Sequence, residues 1–270
     1  MSNLTGYCAL GLYVASFILY VWHLYSDQVI VGRSATLLLA GALIAHYYAL
    51  LERAHLLHAV PYEDLYGSMS LFGWFLGLTY LGLELYHRRQ SVGPFVLPLV
   101  IILSGLGALL APGASHTAPA RGVAFALHVT TLMLSYSAFT LSFVFSAIYL
   151  SQDRLLRSRR LSAIGWRMPP LELLERMTRS GVVVGLVTLV LGIGFGLIVE
   201  DRLRGRYFSF DPKEIISLLI LIGYGVYLWL ERSTAWRGAR ASLFCVLNYV
   251  TVLFSYTIVN LYMSSYHRFF

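Results

Sequence analysis

Cysteine is nearly absent: the 270 residues hold two, Cys8 and Cys245, in separate apolar runs. With no Cys-x-x-Cys there is no thiol-exchange motif, and with no Cys-x-x-Cys-His the chain is not itself a c-type cytochrome. Two isolated thiols also exclude a cluster held by thiolates, which leaves histidine as the soft ligand. Charge is scarce too, with 12% charged residues against 58% hydrophobic ones. Gly-x-Ser-x-Gly, a phosphate-binding glycine loop ending in Lys-Ser/Thr, and His-Glu-x-x-His are all missing, so no hydrolase, kinase or zinc-protease chemistry is indicated. No short leader with an Ala-x-Ala cleavage site precedes the first apolar run, which is therefore expected to remain as a first helix. The net charge of +7 comes from arginines concentrated at the ends of apolar runs. Membrane topology places them there, and they do not point to nucleic acid.

What is present is a series of apolar runs, each about long enough to cross a bilayer. They fall at roughly 6–24, 35–51, 66–85, 92–110, 122–150, 180–199, 212–230 and 241–263. The pattern predicts an all-α integral membrane protein: a single bundle of about eight transmembrane helices, one polytopic domain over 1–270. Arg154, Arg157, Arg159, Arg160 and Arg167 follow the fifth run as the densest basic cluster, and are assigned to the cytoplasmic side of a bacterial-type inner membrane. Alternation then puts Arg88, Arg89, Arg232, Arg237 and Arg240 inside. Both termini and the loop between the sixth and seventh runs fall outside. Gly181, Gly185, Gly192, Gly194 and Gly196 in the sixth run are expected to allow close helix–helix approach. The prolines of Met168-Pro169-Pro170 suit a helix start, and the segment after them reads as a helix leader or as an amphipathic stretch at the inner interface.

The outer loop between runs six and seven is an aromatic and basic island, Arg202-Leu203-Arg204-Gly205-Arg206-Tyr207-Phe208-Ser209-Phe210-Asp211-Pro212-Lys213-Glu214. Its cations resist the positive-inside rule, which suggests retention for a ligand. Tyr207, Phe208 and Phe210 either offer flat faces to a flat ligand or form an ordinary interfacial belt. Five of the eight histidines share this membrane face: His55, His58, His116 and His267 in loops or the tail, and His128 one or two turns into the fifth helix. His23 and His87 fall at the inner face. His46 is mid-helix, where an imidazole is either functional or a hydrogen-bonded structural group. His128 has small or apolar neighbours on its own helix, so a metal would satisfy its ring; the alternative for both His128 and His267 is a helix-end imidazole in water. His55 and His58, at i, i+3 beside Glu52 and Arg53, do not complete a zinc site on their own. Haem requires axial imidazole, apolar or aromatic surface and cations near its propionates; the outer face carries all three.

The same residues carry a resemblance. The stretch Pro61-Tyr62-Glu63-Asp64-Leu65-Tyr66-Gly67-Ser68 running on to Trp74 is similar to the Pro-x-x-Asn-Leu-Tyr-Glu-Ser stretch of the CcsA/ResC/CcmC family of membrane haem-handling proteins used in cytochrome c assembly. Leu127-His128-Val129-Thr130-Thr131 resembles that family's histidine-bearing helix, Asp211-Pro212-Lys213-Glu214 the end of its tryptophan-rich signature, and Ser264-Ser265-Tyr266-His267 its C-terminal histidine region. The resemblance implies that His128 and His267 are axial ligands to a non-covalent, transiently held b-type haem at the outer face, with Arg204, Arg206, Tyr207, Phe208, Phe210 and Asp211 against it. It implies an apocytochrome c and a second assembly subunit as partners, beside the lipid bilayer. The signature Trp-Gly-x-x-Trp-x-Trp-Asp reads here Arg204-Gly205-Arg206-Tyr207-Phe208-Ser209-Phe210-Asp211, without its tryptophans. Where cytochrome-assembly members tend to carry an intramembrane His after Tyr227-Leu228, this chain has Trp229. Both departures resemble the HemX-like and YpjD-like branch.

Three functions are therefore expected in competition. The first is holding haem at the outer face for cytochrome c biogenesis, by orientation and redox control with no catalytic base of the chain's own. The second is a HemX-type regulator of haem or tetrapyrrole metabolism acting through the Arg-rich inner loop. The third is a small-ion or metal transporter, for which only His46 and Glu84 lie along a path through the bilayer.

Overall fold

The computed structural model describes residues 2–57, 65–109, 122–158, 168–205 and 212–255. Among them the backbone forms eight helices and no strand: α1 (Ser2–Ser26), α2 (Val29–Leu57), α3 (Leu65–His87), α4 (Gly93–Leu109), α5 (Gly122–Arg157), α6 (Leu171–Arg204), α7 (Pro212–Leu230) and α8 (Ala239–Phe254). An apolar segment in lipid must satisfy its peptide groups internally, and a helix does so within one segment. The helices over Leu4–Ser26, Val29–His55, Gly122–Arg157 and Leu171–Arg202 are long and apolar enough to cross a membrane; Gly93–Ala108, Glu214–Leu230 and Ala239–Phe254 are shorter apolar helices. Exposed Ile30, Leu37, Ile44, Val187, Leu191, Ile222 and Trp229 suit a lipid-facing surface. The chain is an all-α, multi-pass membrane protein.

The helices group into two compact units, one built from α1–α4 and the other from α5–α8. Within the first, α1 packs on α2, α2 on α3, α3 on α4 and α4 back on α1. Tyr13, Tyr20, Leu39, Leu76, Tyr80 and Leu97 fill its middle. Polar side chains tie neighbouring backbones together: Ser16 Oγ donates to Ala35 O at 2.8 Å and Trp74 Nε1 to Leu43 O at 2.9 Å. In hydrocarbon such bonds have no competing water.

The second unit repeats the closed order α5, α6, α7, α8. Phe139 stacks on Tyr224 at 3.9 Å and Phe143 on Tyr249 at 4.6 Å. The α5–α6 seam follows from glycine spacing. Gly181 faces Ser142, Gly185 the Phe139 ring, Gly192 the Leu132 side chain and Gly196 the His128 ring, each too close to admit a Cβ without a shift. Ser135 Oγ donates to Gly185 O at 2.8 Å across the same seam. Gly194 meets nothing within 4 Å, so close approach holds for four of the five glycines. At 36 and 34 residues, α5 and α6 are about 54 and 51 Å long, well beyond a hydrocarbon core of about 30 Å. The extra length at the end of α5 carries the Arg157–Asp153 ion pair at 2.8 Å. α6 begins at Leu171, directly after the prolines that suit a helix start, so Leu171 to Arg179 are its first turns, ahead of the apolar run from 180, and Pro170 stands at the N-cap position.

Candidate functional site

Two helix ends define the site. α6 stops at Gly205, whose φ of 65° is the left-handed conformation that glycine adopts without penalty; its N–H donates to Asp201 O at 2.8 Å. That cap ends the helix where the aromatic island begins. α7 then starts on Pro212, which lacks an N–H the first turn would leave unpaired, with Glu214 in the first turn where the helix dipole favours an anion.

His128 lies six residues into α5, beside the half of α6 that leads to that cap. Its half-buried ring sits over a strip of α6 that has no side chains, between Gly192 and Gly196. Nδ1 lies 2.7 Å from Gly192 O. A carbonyl only accepts, so Nδ1 carries a proton and donates it to Gly192 O. Metal-bound histidines are commonly oriented in this way, by donation of the other ring nitrogen to a backbone carbonyl. Phe125 packs nearby, its ring centroid 6.4 Å from that of His128. Thr130 and Thr131 turn their hydroxyls back to Ala126 O and Leu127 O at 2.8 and 2.6 Å. The expectation that His128 has little else to bond is corrected by α6, which supplies a carbonyl to one nitrogen. Of the two ring nitrogens, Nε2 is the one that this carbonyl does not engage.

Of the other expected site residues, Arg206, Tyr207, Phe208, Phe210, Asp211 and His267 lie outside the described residues, as does the side chain of Arg204. His58 and His116 also lie outside them. Among the described residues no group of three or more His, Cys, Asp or Glu is placed to hold a metal ion.

The family model of the cytochrome C assembly protein matches residues 62–267. The chain belongs to the cytochrome c assembly protein family. Family membership supports a role in cytochrome c biogenesis. The chain is 29% identical over 256 residues to Protein HemX of Brevibacillus brevis, covering 91% of each. It is 28% identical over 224 residues to the cytochrome c biogenesis protein CcsA of Prochlorococcus marinus (strain MIT 9515), covering 74% of this chain and 72% of that one. Among solved structures, Cytochrome c Heme Lyase CcmF is similar in fold, with a TM-score of 0.63 at 16% identity over 95% of this chain. The chain spans 46% of that protein's length.

The segment matched by the family model includes His128, the 204–211 island and His267, and leaves α1 and α2 outside it. His46, on α2, is therefore not part of the shared segment, and its surroundings show why it is there. It is 4% exposed, with Tyr13 OH 3.2 Å from Nδ1 and Ser70 Oγ 2.8 Å from Nε2. Both ring nitrogens are engaged by neighbours from α1 and α3, so His46 joins three helices and has no lone pair for iron. Of the two readings open in the sequence, the hydrogen-bonded structural one fits. His23, at the end of α1, holds Gln28 O at 3.0 Å, and His87 meets the Tyr86 ring edge-on at 5.0 Å. His55 is exposed at the last turn of α2.

Proposed function

We propose that this family member holds haem at the outer face of a bacterial-type cytoplasmic membrane for cytochrome c biogenesis, with both of its termini on that face. His128 is one axial ligand, through Nε2, and His267 is the other. Tyr207, Phe208 and Phe210 lie against the macrocycle, with Arg204 and Arg206 near its propionates and Asp211 closing the island. The haem is b-type, held without a covalent bond and passed on, so an apocytochrome c and a second assembly subunit are the partners. Bound haem supplies the redox-active iron; the chain supplies orientation, aromatic contact and charge. The observation that carries this reading is the Gly192 carbonyl on His128 Nδ1. It supports a ring orientation suited to a ligand, on the half of α6 that leads into the island. A single polytopic domain is supported by the family match, which runs through helices of both units.

A second reading, a membrane regulator of haem or tetrapyrrole metabolism, is favoured by the match to Protein HemX over 91% of both chains. One experiment separates them. The purified protein should show a Soret band with bis-histidine features, and His128→Gly and His267→Gly should each lose haem or change spin state. Added imidazole, entering the vacated axial position, should restore the wild-type spectrum. A variant that keeps the wild-type spectrum removes that residue as a ligand, and a wild-type protein without haem favours the regulator.

A further inference from the structure

We propose that the turn between α7 and α8 is a binding surface for the phosphate of an anionic phospholipid headgroup. It carries Arg232, Arg237 and Arg240, all exposed, with Trp229 and Trp236 exposed beside them. The turn has a fixed shape. Arg232 N–H donates to Trp229 O at 3.3 Å and Ser233 N–H to Leu230 O at 2.9 Å, which winds the chain on past the end of α7. The N–H groups of Trp236 and Arg237 both donate back to Ser233 O, and Ala241 N–H donates to Trp236 O at 2.9 Å as α8 begins. Arg240 Nη1 donates to Ala235 O at 2.9 Å, so that guanidinium ties the turn together. Gly238, at a φ of 77°, seats it on α5 and α6: a Cβ there would lie 2.8 Å from Tyr149 OH and 3.4 Å from Glu175 Oε1. Side chains presented from a backbone held in this way leave less to be ordered when a ligand arrives.

The carboxylates at this end of the unit are already engaged. Asp153 pairs with Arg157 at 2.8 Å and Glu172 with Arg176 at 4.0 Å. Glu231 turns to Arg179 at 3.5 Å and also lies in the field of Arg237 and Arg232, one carboxylate among three guanidiniums. Arg154, Arg232 and Arg237 make no ion pair with another described residue. The surplus is positive, and a guanidinium fork matches the oxygens of a phosphate.

Depth selects a lipid over a soluble acidic partner. Ile222, Val226 and Trp229 form an exposed, lipid-facing side of α7, and Arg232 follows Trp229 by three residues. Tryptophan favours the boundary between hydrocarbon and headgroups. Arginines on the turn that follows it therefore stand at the level of the headgroup phosphates, where an anionic leaflet attracts them. A protein approaching from water would meet them only after displacing those headgroups.

Native mass spectrometry of the full-length protein, released from micelles that hold equal phosphatidylglycerol and phosphatidylcholine, tests this. A micelle has no sides, so the outcome is independent of the chain's orientation in a membrane. Wild-type protein should retain phosphatidylglycerol in preference, and Arg232→Gln and Arg237→Gln should each cut that preference about five-fold. Gly238→Ala, which removes no charge but pushes the turn off Tyr149, should weaken it as well. Equal retention of the two lipids by the wild type, or a preference that Arg232→Gln and Arg237→Gln together leave in place, would overturn the proposal. Release of the bound phosphatidylglycerol by soluble polyglutamate would overturn it too, and assign the turn to an acidic protein.

Discussion

One methyl group at Gly196 tests the seat of His128 without touching the ring. A Cβ there would lie 2.7 Å from His128 Cε1 and 2.8 Å from Nδ1, about 0.8 Å inside an ordinary carbon contact of about 3.5 Å. If the ring retreats by that amount, the 2.7 Å bond to Gly192 O stretches to about 3.5 Å, beyond a useful hydrogen bond. Overpacking costs about 1–3 kcal/mol, and the lost bond contributes about 0.5–1.5 kcal/mol of that order. Ala for Gly in a helix also gains about 0.8–1.0 kcal/mol, which partly hides the clash. Gly194→Ala supplies the correction, since a Cβ at Gly194 meets nothing within 4 Å. Unfolding in mixed micelles should therefore place Gly196→Ala about 1–3 kcal/mol below Gly194→Ala. In a His128→Ala background the difference should vanish. Equal stability of the two glycine variants, or a coupling to His128 under about 0.5 kcal/mol, would refute the geometry.

Three further outcomes are expected. Phe208→Ala and Phe210→Ala should weaken haem retention more than Tyr86→Ala, an exposed ring, by about 0.5–1.5 kcal/mol each; equal retention in a haem-release assay would make the island an interfacial belt. His46→Ala should leave the haem spectrum unchanged while lowering stability by about 1–3 kcal/mol, because it strands the Tyr13 and Ser70 hydroxyls that now meet the ring; a changed spectrum would return His46 to the list of ligands. Reporter fusions after Arg160 should read as cytoplasmic, and fusions after Arg206 and at Phe270 as external; a cytoplasmic signal at Phe270 would separate His267 from His128.

The helices were legible in the sequence because each contains an apolar run, and Pro212–Leu230 agrees at both ends. The start of α6 was legible only in Met168-Pro169-Pro170, since Glu172, Glu175, Arg176 and Arg179 interrupt apolarity without interrupting helix. Hydropathy sees where lipid begins, and a helix is free to continue into water. The glycines of α6 announced close approach, and four of them deliver it, but spacing could not say that Gly194 faces away from α5. The seat of His128 was out of reach for a related reason. Its partner is a backbone carbonyl on another helix, and a carbonyl belongs to every residue type, so no letter in the sequence marks it. The only trace was the pair Gly192 and Gly196, one helical turn apart. His46 was equally silent about Tyr13 and Ser70, which lie 33 and 24 residues away.

The order of packing within each unit bears on how the chain is made. Within each unit, every helix after the first lies against the one synthesised just before it, as α2 does on α1 and α6 on α5, and packing of α4 on α1 or α8 on α5 closes the ring. Neighbours that close in sequence keep contact order low and avoid long loop closures. During synthesis each new helix entering the bilayer finds its partner already waiting, and only the fourth must find one made three helices earlier. Each unit is thus able to assemble as it emerges, hairpin by hairpin, before the ribosome has finished the chain.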